Sequence, residues 1–144
     1  MGKIKIYLAG GMSGLSYDEQ VQWRRDFVAN LMESLGGRAN FEVTIPPYYY
    51  TAAYPEAQVQ DSEREAMEFL LNRLRHSDLV VVNFNVPQSI GTAMEIAIAK
   101  ELRIPVIGIK TENTELHPWL TESCIKMFND ASWAAEHVRD YYLS

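Results

Sequence analysis

The apolar positions of the chain change period several times. Lys3-Ile4-Lys5-Ile6-Tyr7-Leu8-Ala9 reads as a strand, and Gly10-Gly11-Met12-Ser13-Gly14 breaks it. Val21, Trp23, Phe27, Val28, Leu31 and Leu35 then recur at roughly helical spacing. Ser16-x-x-Glu19 marks the start of this helix as a capping box, and Gly36-Gly37 marks its stop. Phe41 to Ile45 is a short second strand closed by Pro46-Pro47, and a Tyr- and Ala-rich loop follows. Ser62-x-x-Glu65 opens a second helix that runs to about Arg75. Asp78 to Phe84 is the most continuous apolar strand, of the kind buried on both faces of a parallel sheet. A loop, a helix from Thr92 to about Leu102 and a strand from Ile104 to Ile109 complete the alternation. Beyond it, His117 to Lys126 reads as a short helix and Ser132 to Leu143 as a terminal one. The pattern does not decide whether a fifth strand lies between them.

Strands and helices alternating through short connections imply parallel strands with right-handed crossovers. The expectation is an α/β three-layer sandwich with four to five parallel strands in the Rossmann or flavodoxin-like order 2-1-3-4-5. The ligand crevice of such a sheet lies beyond the carboxyl ends of its strands, where the winding reverses. Three loops therefore matter: Gly10 to Gly14, Pro46 to Tyr54, and Asn83 to Gly91.

Thr92-x-x-Glu95 matches a capping box, in which the glutamate returns to the backbone of the cap residue. The same position puts Glu95 at the rim of the expected crevice. Ser89 and Gly91 lie just before the helix, where free N–H groups favour an anion or a ligand hydroxyl, and Ser89 equally suits a second helix cap, a compatible role. Tyr48, Tyr49, Tyr50 and Tyr54 suit either a packed loop or stacking on a planar ring. Asp78 reads as a structural cap at the far end of the sheet, and Trp23-Arg24-Arg25 as a helix face in preference to a phosphate clamp.

Composition narrows the partners. The 144 residues, 47% of them hydrophobic, suit one domain spanning 1–144. With 13 Lys and Arg against 19 Asp and Glu, the net charge of −6 argues against nucleic acid polymers and acidic membranes. The single Cys124 cannot form an internal disulfide and has no zinc-ligand spacing around it. A cytoplasmic, soluble, unprocessed protein with no structural metal is expected, because the first apolar run is too short for a signal peptide or a membrane span.

Ile6 to Gly10, Ser77 to Val82, and Ser89-Ile90-Gly91-Thr92-Ala93-Met94-Glu95 with Lys100 to Pro105 resemble the nucleoside 2-deoxyribosyltransferase superfamily over roughly residues 3 to 110. That superfamily includes transferases that exchange bases on deoxyribose and hydrolases that release the base from 2′-deoxynucleoside 5′-monophosphates. The resemblance implies Glu95 as the nucleophile at the anomeric carbon, with no metal or organic cofactor. It implies substrate contacts from Tyr7, Gly10, Gly11, Met12, Asn83, Ser89 and Gly91. It also implies a homodimer, or a multiple of one, in which His117 or Asn129 reaches the partner's crevice.

Two positions differ from the family pattern. The aspartate that usually assists the leaving base is Leu70 here, with Glu68 and Asn72 nearby. The first loop has Ser13 where the monophosphate hydrolases have arginine, while Ser89 matches those hydrolases. The implied activity is cleavage of the N-glycosidic bond of a 2′-deoxynucleoside or its 5′-monophosphate, with transfer to another base or to water. The alternatives are an inactive nucleotide-binding module of the same fold and a flavodoxin-like carrier, for which a first loop whose only hydroxyl residue is Ser13 is a poor phosphate cradle.

Overall fold

The computed structural model describes residues 3–35, 40–49, 63–113 and 115–143. Five parallel strands run β1 (Ile4–Gly10), β2 (Phe41–Thr44), β3 (Leu79–Asn83), β4 (Val106–Ile109) and β5 (Lys126–Phe128). They lie in the order 2-1-3-4-5, as the alternation predicts. The helices are α1 (Tyr17–Ser34), α2 (Glu63–Arg75), α3 (Ile90–Glu101), α4 (Pro118–Ser123) and α5 (Ala131–Val138), and the chain closes in a wide turn over Arg139–Leu143.

Two apolar layers sandwich the sheet because side chains alternate along each strand. Ile6, Leu8, Leu79, Val81, Ile107 and Ile109 pack with Phe27 and Leu31 of α1 and Ala134 and Val138 of α5. Tyr7, Ala9, Val80 and Val82 face Leu70 and Leu74 of α2 and Ile96 and Ala99 of α3. β3, at the centre, is buried along its whole length.

Local signals account for most boundaries. The Ser16 hydroxyl accepts the Glu19 N–H at 3.1 Å, and the Glu19 carboxylate accepts the Ser16 N–H at 2.9 Å, so the expected capping box starts α1. The stop expected at Gly36-Gly37 and the start expected at Ser62 lie outside the described residues. Asp78 is structural, as expected: its carboxylate accepts the Lys5 N–H at 2.8 Å and its own N–H donates to Lys5 O at 2.7 Å, tying β1 to β3 at their amino ends.

The undecided fifth strand exists. Lys126–Phe128 pairs with Ile107–Ile109 of β4, and it shortens the helix expected over His117 to Lys126 to a six-residue one. No helix among the described residues is long and apolar enough to cross a membrane.

Loss of the α1 cap is the simplest test of this account. Ser16→Ala should lower unfolding stability by about 0.5–2 kcal/mol with the denaturant slope unchanged. An unchanged midpoint in urea would show that the α1 start is held by packing alone.

Candidate active site

The carboxyl ends of β1 and β3 open onto a crevice of about 770 Å³, within the range of small-molecule pockets. Gly10 and Met12 form its edge at β1. Pro46, Met67, Leu70 and Leu71 make an apolar wall, and Ser89, Gly91 and Glu95 come from the head of α3.

The start of α3 is where the sequence reading needs correction. The helix begins at Ile90, and Ser89 is the cap: its hydroxyl accepts the Thr92 N–H at 3.2 Å. Thr92 therefore lies inside the first turn, buried, and its N–H is already taken, so a Thr92–Glu95 capping box has no donor to return to. Glu95 is released from capping and instead accepts a short hydrogen bond from the Tyr7 hydroxyl.

That partner is built into the sheet. Tyr7 lies in β1 between β2 and β3, fully buried, on the face toward α2 and α3. Glu95 is half-buried and lines the crevice, while its carboxyl group is largely desolvated. Burial pushes its pKa up to about 7, against the opposing pull of the Tyr7 hydrogen bond and the positive charge of Arg24. Near neutral pH the carboxyl is poised between its two forms.

Arg24 is a buried cation that the sequence reading took for part of a helix face. It is completely buried, donating from Nε to Leu8 O at 3.0 Å and from Nη2 to Gly10 O at 3.3 Å, with a further bond to Gln20 O. Burial lowers its pKa to about 10, with Glu95 and Tyr7 favouring the cation. The signal was its register: Val21, Arg24, Phe27 and Leu31 share one helical stripe, and the other three are core residues.

The first loop is held by close backbone approach. Gly11 N–H donates to Asn85 Oδ1 at 3.0 Å, and a Cβ on Gly11 would stand 2.4 Å from Val86 Cβ. Two buried oxygens near the strand ends, Asn83 Oδ1 and Thr92 Oγ1, have no hydrogen-bond partner among the described residues.

The remaining expected residues separate. Gly11 supports the crevice edge without lining it, and Asn83 is buried where β3 pairs with Gly10. His117 caps α4, its Nδ1 accepting the Trp119 N–H at 3.1 Å. It lines a second cavity, between α3 and α4, that shares Gln88, Ser89, Ile90 and Met94 with the first. Asn129 is exposed and lines neither. Tyr48 accepts a hydrogen bond from Arg25 Nε, and Tyr49 packs on Phe69 with ring centroids 4.7 Å apart, so these two serve packing. Tyr50 and Tyr54 lie outside the described residues. Leu70 lines the crevice, whereas Glu68 and Asn72 are exposed and do not. Among the described residues no group of three or more His, Cys, Asp or Glu is placed to hold a metal ion.

Residues 4–108 match the family model described as a domain of unknown function, DUF4406. The chain belongs to the DUF4406 family. No curated protein matches it in sequence. Among solved structures, this DUF4406 chain is similar to a conserved protein from Enterococcus faecalis V583, with a TM-score of 0.76 at 15% identity over 96% of this chain and 99% of that one. It is also similar to a 2-deoxyribosyltransferase from Bacillus psychrosaccharolyticus, with a TM-score of 0.65 at 18% identity over 91% and 90% of the two chains. A third is the CMP N-glycosidase BcmB of Clostridium botulinum, with a TM-score of 0.59 at 18% identity over 95% and 98%. The fold expected from the sequence is thus shared with these structures.

Gly11→Ala should destabilise the DUF4406 chain by about 1–3 kcal/mol, because the clash is with a Cβ and not with a flexible side-chain end. Chemical denaturation measures it, and a midpoint equal to wild type would mean that the loop moves aside freely.

Proposed function

We propose that this protein cleaves the N-glycosidic bond of a 2′-deoxynucleoside or its 5′-monophosphate, with Glu95 as the nucleophile and another base or water as the acceptor. The observation that carries the reading is a crevice carboxylate held by a buried tyrosine where β1 and β3 end, in a fold shared with a 2-deoxyribosyltransferase and an N-glycosidase.

The chemistry is double displacement. Ionised Glu95 attacks C1′ as the bond to the base breaks, a glycosyl ester forms, and the acceptor attacks from the opposite face with net retention. The Tyr7 hydroxyl fixes the carboxylate in one orientation. Gly10, Met12, Ser89 and Gly91 line the remainder of the crevice and contact the substrate, and Ser89, with no charge to repel a phosphate, admits a 5′-monophosphate. No metal or organic cofactor takes part.

A second reading, a nucleotide-binding module without catalysis, is favoured by one observation: the wall carrying Leu70 is apolar where a leaving base would be assisted. The two readings separate on release of free base from a panel of deoxynucleosides and their monophosphates, followed by chromatography with and without acceptor base.

Assembly belongs to the same proposal. Ile90 and Trp119, 78% and 79% exposed, flank the cavity that holds His117. A symmetric homodimer or a multiple of one, with His117 or Asn129 reaching the partner's crevice, would cover this apolar surface. Light scattering should give at least twice the chain mass, and a monomer would remove the cross-subunit contribution.

Glu95→Ala should abolish base release, by at least about a thousandfold, while circular dichroism stays native. Because the nucleophile must be ionised and its pKa lies near 7, wild-type base release should fall as pH drops through 7, by about tenfold per unit below it. Near wild-type turnover in Glu95→Ala, or a rate flat from pH 5 to 8, would exclude Glu95 as nucleophile.

A further inference from the structure

Arg24 and Glu95 belong to opposite faces of the sheet. Arg24 comes from α1, which packs on Ile6 and Leu8, whereas Glu95 comes from α3, which packs on Tyr7 and Ala9. β1 ends at Gly10, where a side chain would point toward α1. A Cβ there would meet Trp23 Cζ2 at 3.0 Å and Arg24 Nη2 at 3.2 Å. The guanidinium occupies this gap, fixed to the carbonyls of Leu8 and Gly10.

A buried cation normally has a carboxylate in contact with it. Arg24 is fully buried, yet its hydrogen bonds among the described residues go to backbone carbonyls, and no carboxylate stands within ion-pair distance of it. The carbonyls it bonds belong to Leu8, next to the Tyr7 whose hydroxyl donates to Glu95, and to Gly10, which lines the same crevice as Glu95.

We propose, on the reading of Glu95 as nucleophile, that Arg24 is its positioning residue: clamped across the end of the sheet, it favours the ionised form of the crevice carboxylate and drives the sugar ester onward. In the first step the C1′–N bond breaks, its electron pair leaving on the base, and a C1′–O bond to Glu95 forms. That step cancels the carboxylate charge opposite Arg24. In the second step a water oxygen bonds to C1′ and its proton passes to solvent. The C1′–O pair then returns to Glu95, restoring the anion that the buried cation favours. The ester is therefore short-lived.

Other ionisable groups also bear on Glu95. Tyr7 of β1 holds it directly, Glu63 and Arg64 of α2 line the same crevice with opposite charges, and His117 at the head of α4 lines the adjoining cavity. β4 contributes no titratable group, and on α3 itself Lys100 and Glu101 are exposed.

The test uses the full chain with ¹³C-labelled glutamate carboxyls, following Glu95 by NMR without substrate and assigning it through Glu95→Gln. Arg24→Met should raise the Glu95 midpoint by about one pH unit or more, and Arg24→Lys, which keeps the charge, should raise it less. With a substrate that releases base, mass spectrometry should find the sugar-protein adduct accumulating in Arg24→Met and absent from wild type. If Arg24→Met does not fold, Arg24→Gln takes its place, because it keeps a donor for the carbonyls of Leu8 and Gly10 but not the charge, and it should also move the midpoint up. A folded variant with an unmoved Glu95 midpoint overturns the proposal. A moved midpoint with no base release from any substrate leaves Arg24 controlling the charge of Glu95 but removes the ester half together with the glycosidic reading.

Discussion

A carboxylate taken out of water at the end of a parallel sheet has to be compensated, and at Glu95 the compensation comes from the strand beside it. Tyr7 is a β1 residue, and Arg24 is bonded to the β1 carbonyls of Leu8 and Gly10. Both groups depend on β1 being immobile. It is paired with β2 on one side and β3 on the other, which the strand order 2-1-3-4-5 provides at the point where the winding reverses. Burial of Ile6, Leu8, Val80 and Val82 thus does more than stabilise the fold. It fixes the Tyr7 side chain and the Leu8 and Gly10 carbonyls at the edge of the crevice that Glu95 lines.

The same dependence explains why the glycines at the end of β1 matter in different ways. Gly10 leaves room beside the end of β1 for the Trp23 ring and the Arg24 guanidinium, which bonds its carbonyl. Gly11 allows the loop to lie against Val86, so that the Asn85 side chain reaches its N–H and the crevice edge is closed. Neither requirement comes from an unusual backbone angle. Each is a matter of distance, set by how tightly the loops after β1 and β3 pack.

Much of this architecture was legible in the sequence, since period-2 and continuous apolar runs separate strands from helices wherever the elements are long or deeply buried. β5 was not legible, because three edge residues of which only Met127 and Phe128 are half-buried leave no period to read. The start of α3 was misplaced by two residues. Two hydroxyl residues competed for the cap, and a sequence does not reveal that Thr92 is buried and that Ser89 takes its N–H. The resemblance singled out Glu95 as the candidate nucleophile, and the groups around it were harder to see. A Trp-Arg-Arg stretch looks like a solvated helix face, and an arginine on an apolar stripe often extends its charge to water. Only the packing shows that Arg24 has carbonyls to bond where it lies.

The crevice is chemically lopsided, and that asymmetry bears on the proposed reaction more than the shared fold does. A glycosidic bond breaks as easily as its two fragments are stabilised. On the side proposed for the sugar, the Glu95 carboxylate is held by the Tyr7 hydroxyl. The wall of Pro46, Met67, Leu70 and Leu71 offers a departing base an apolar surface but no proton, and the charged residues lining the crevice on that helix, Glu63 and Arg64, stand at its first turn. Neighbours at 15 to 18% identity share the strand order that places a carboxylate at this edge. They do not determine what faces it. For the proposed reaction the burden therefore shifts to the nucleophile and to the stability of the leaving base itself, and the electrostatics behind Glu95 become the part of the site with most influence on the rate.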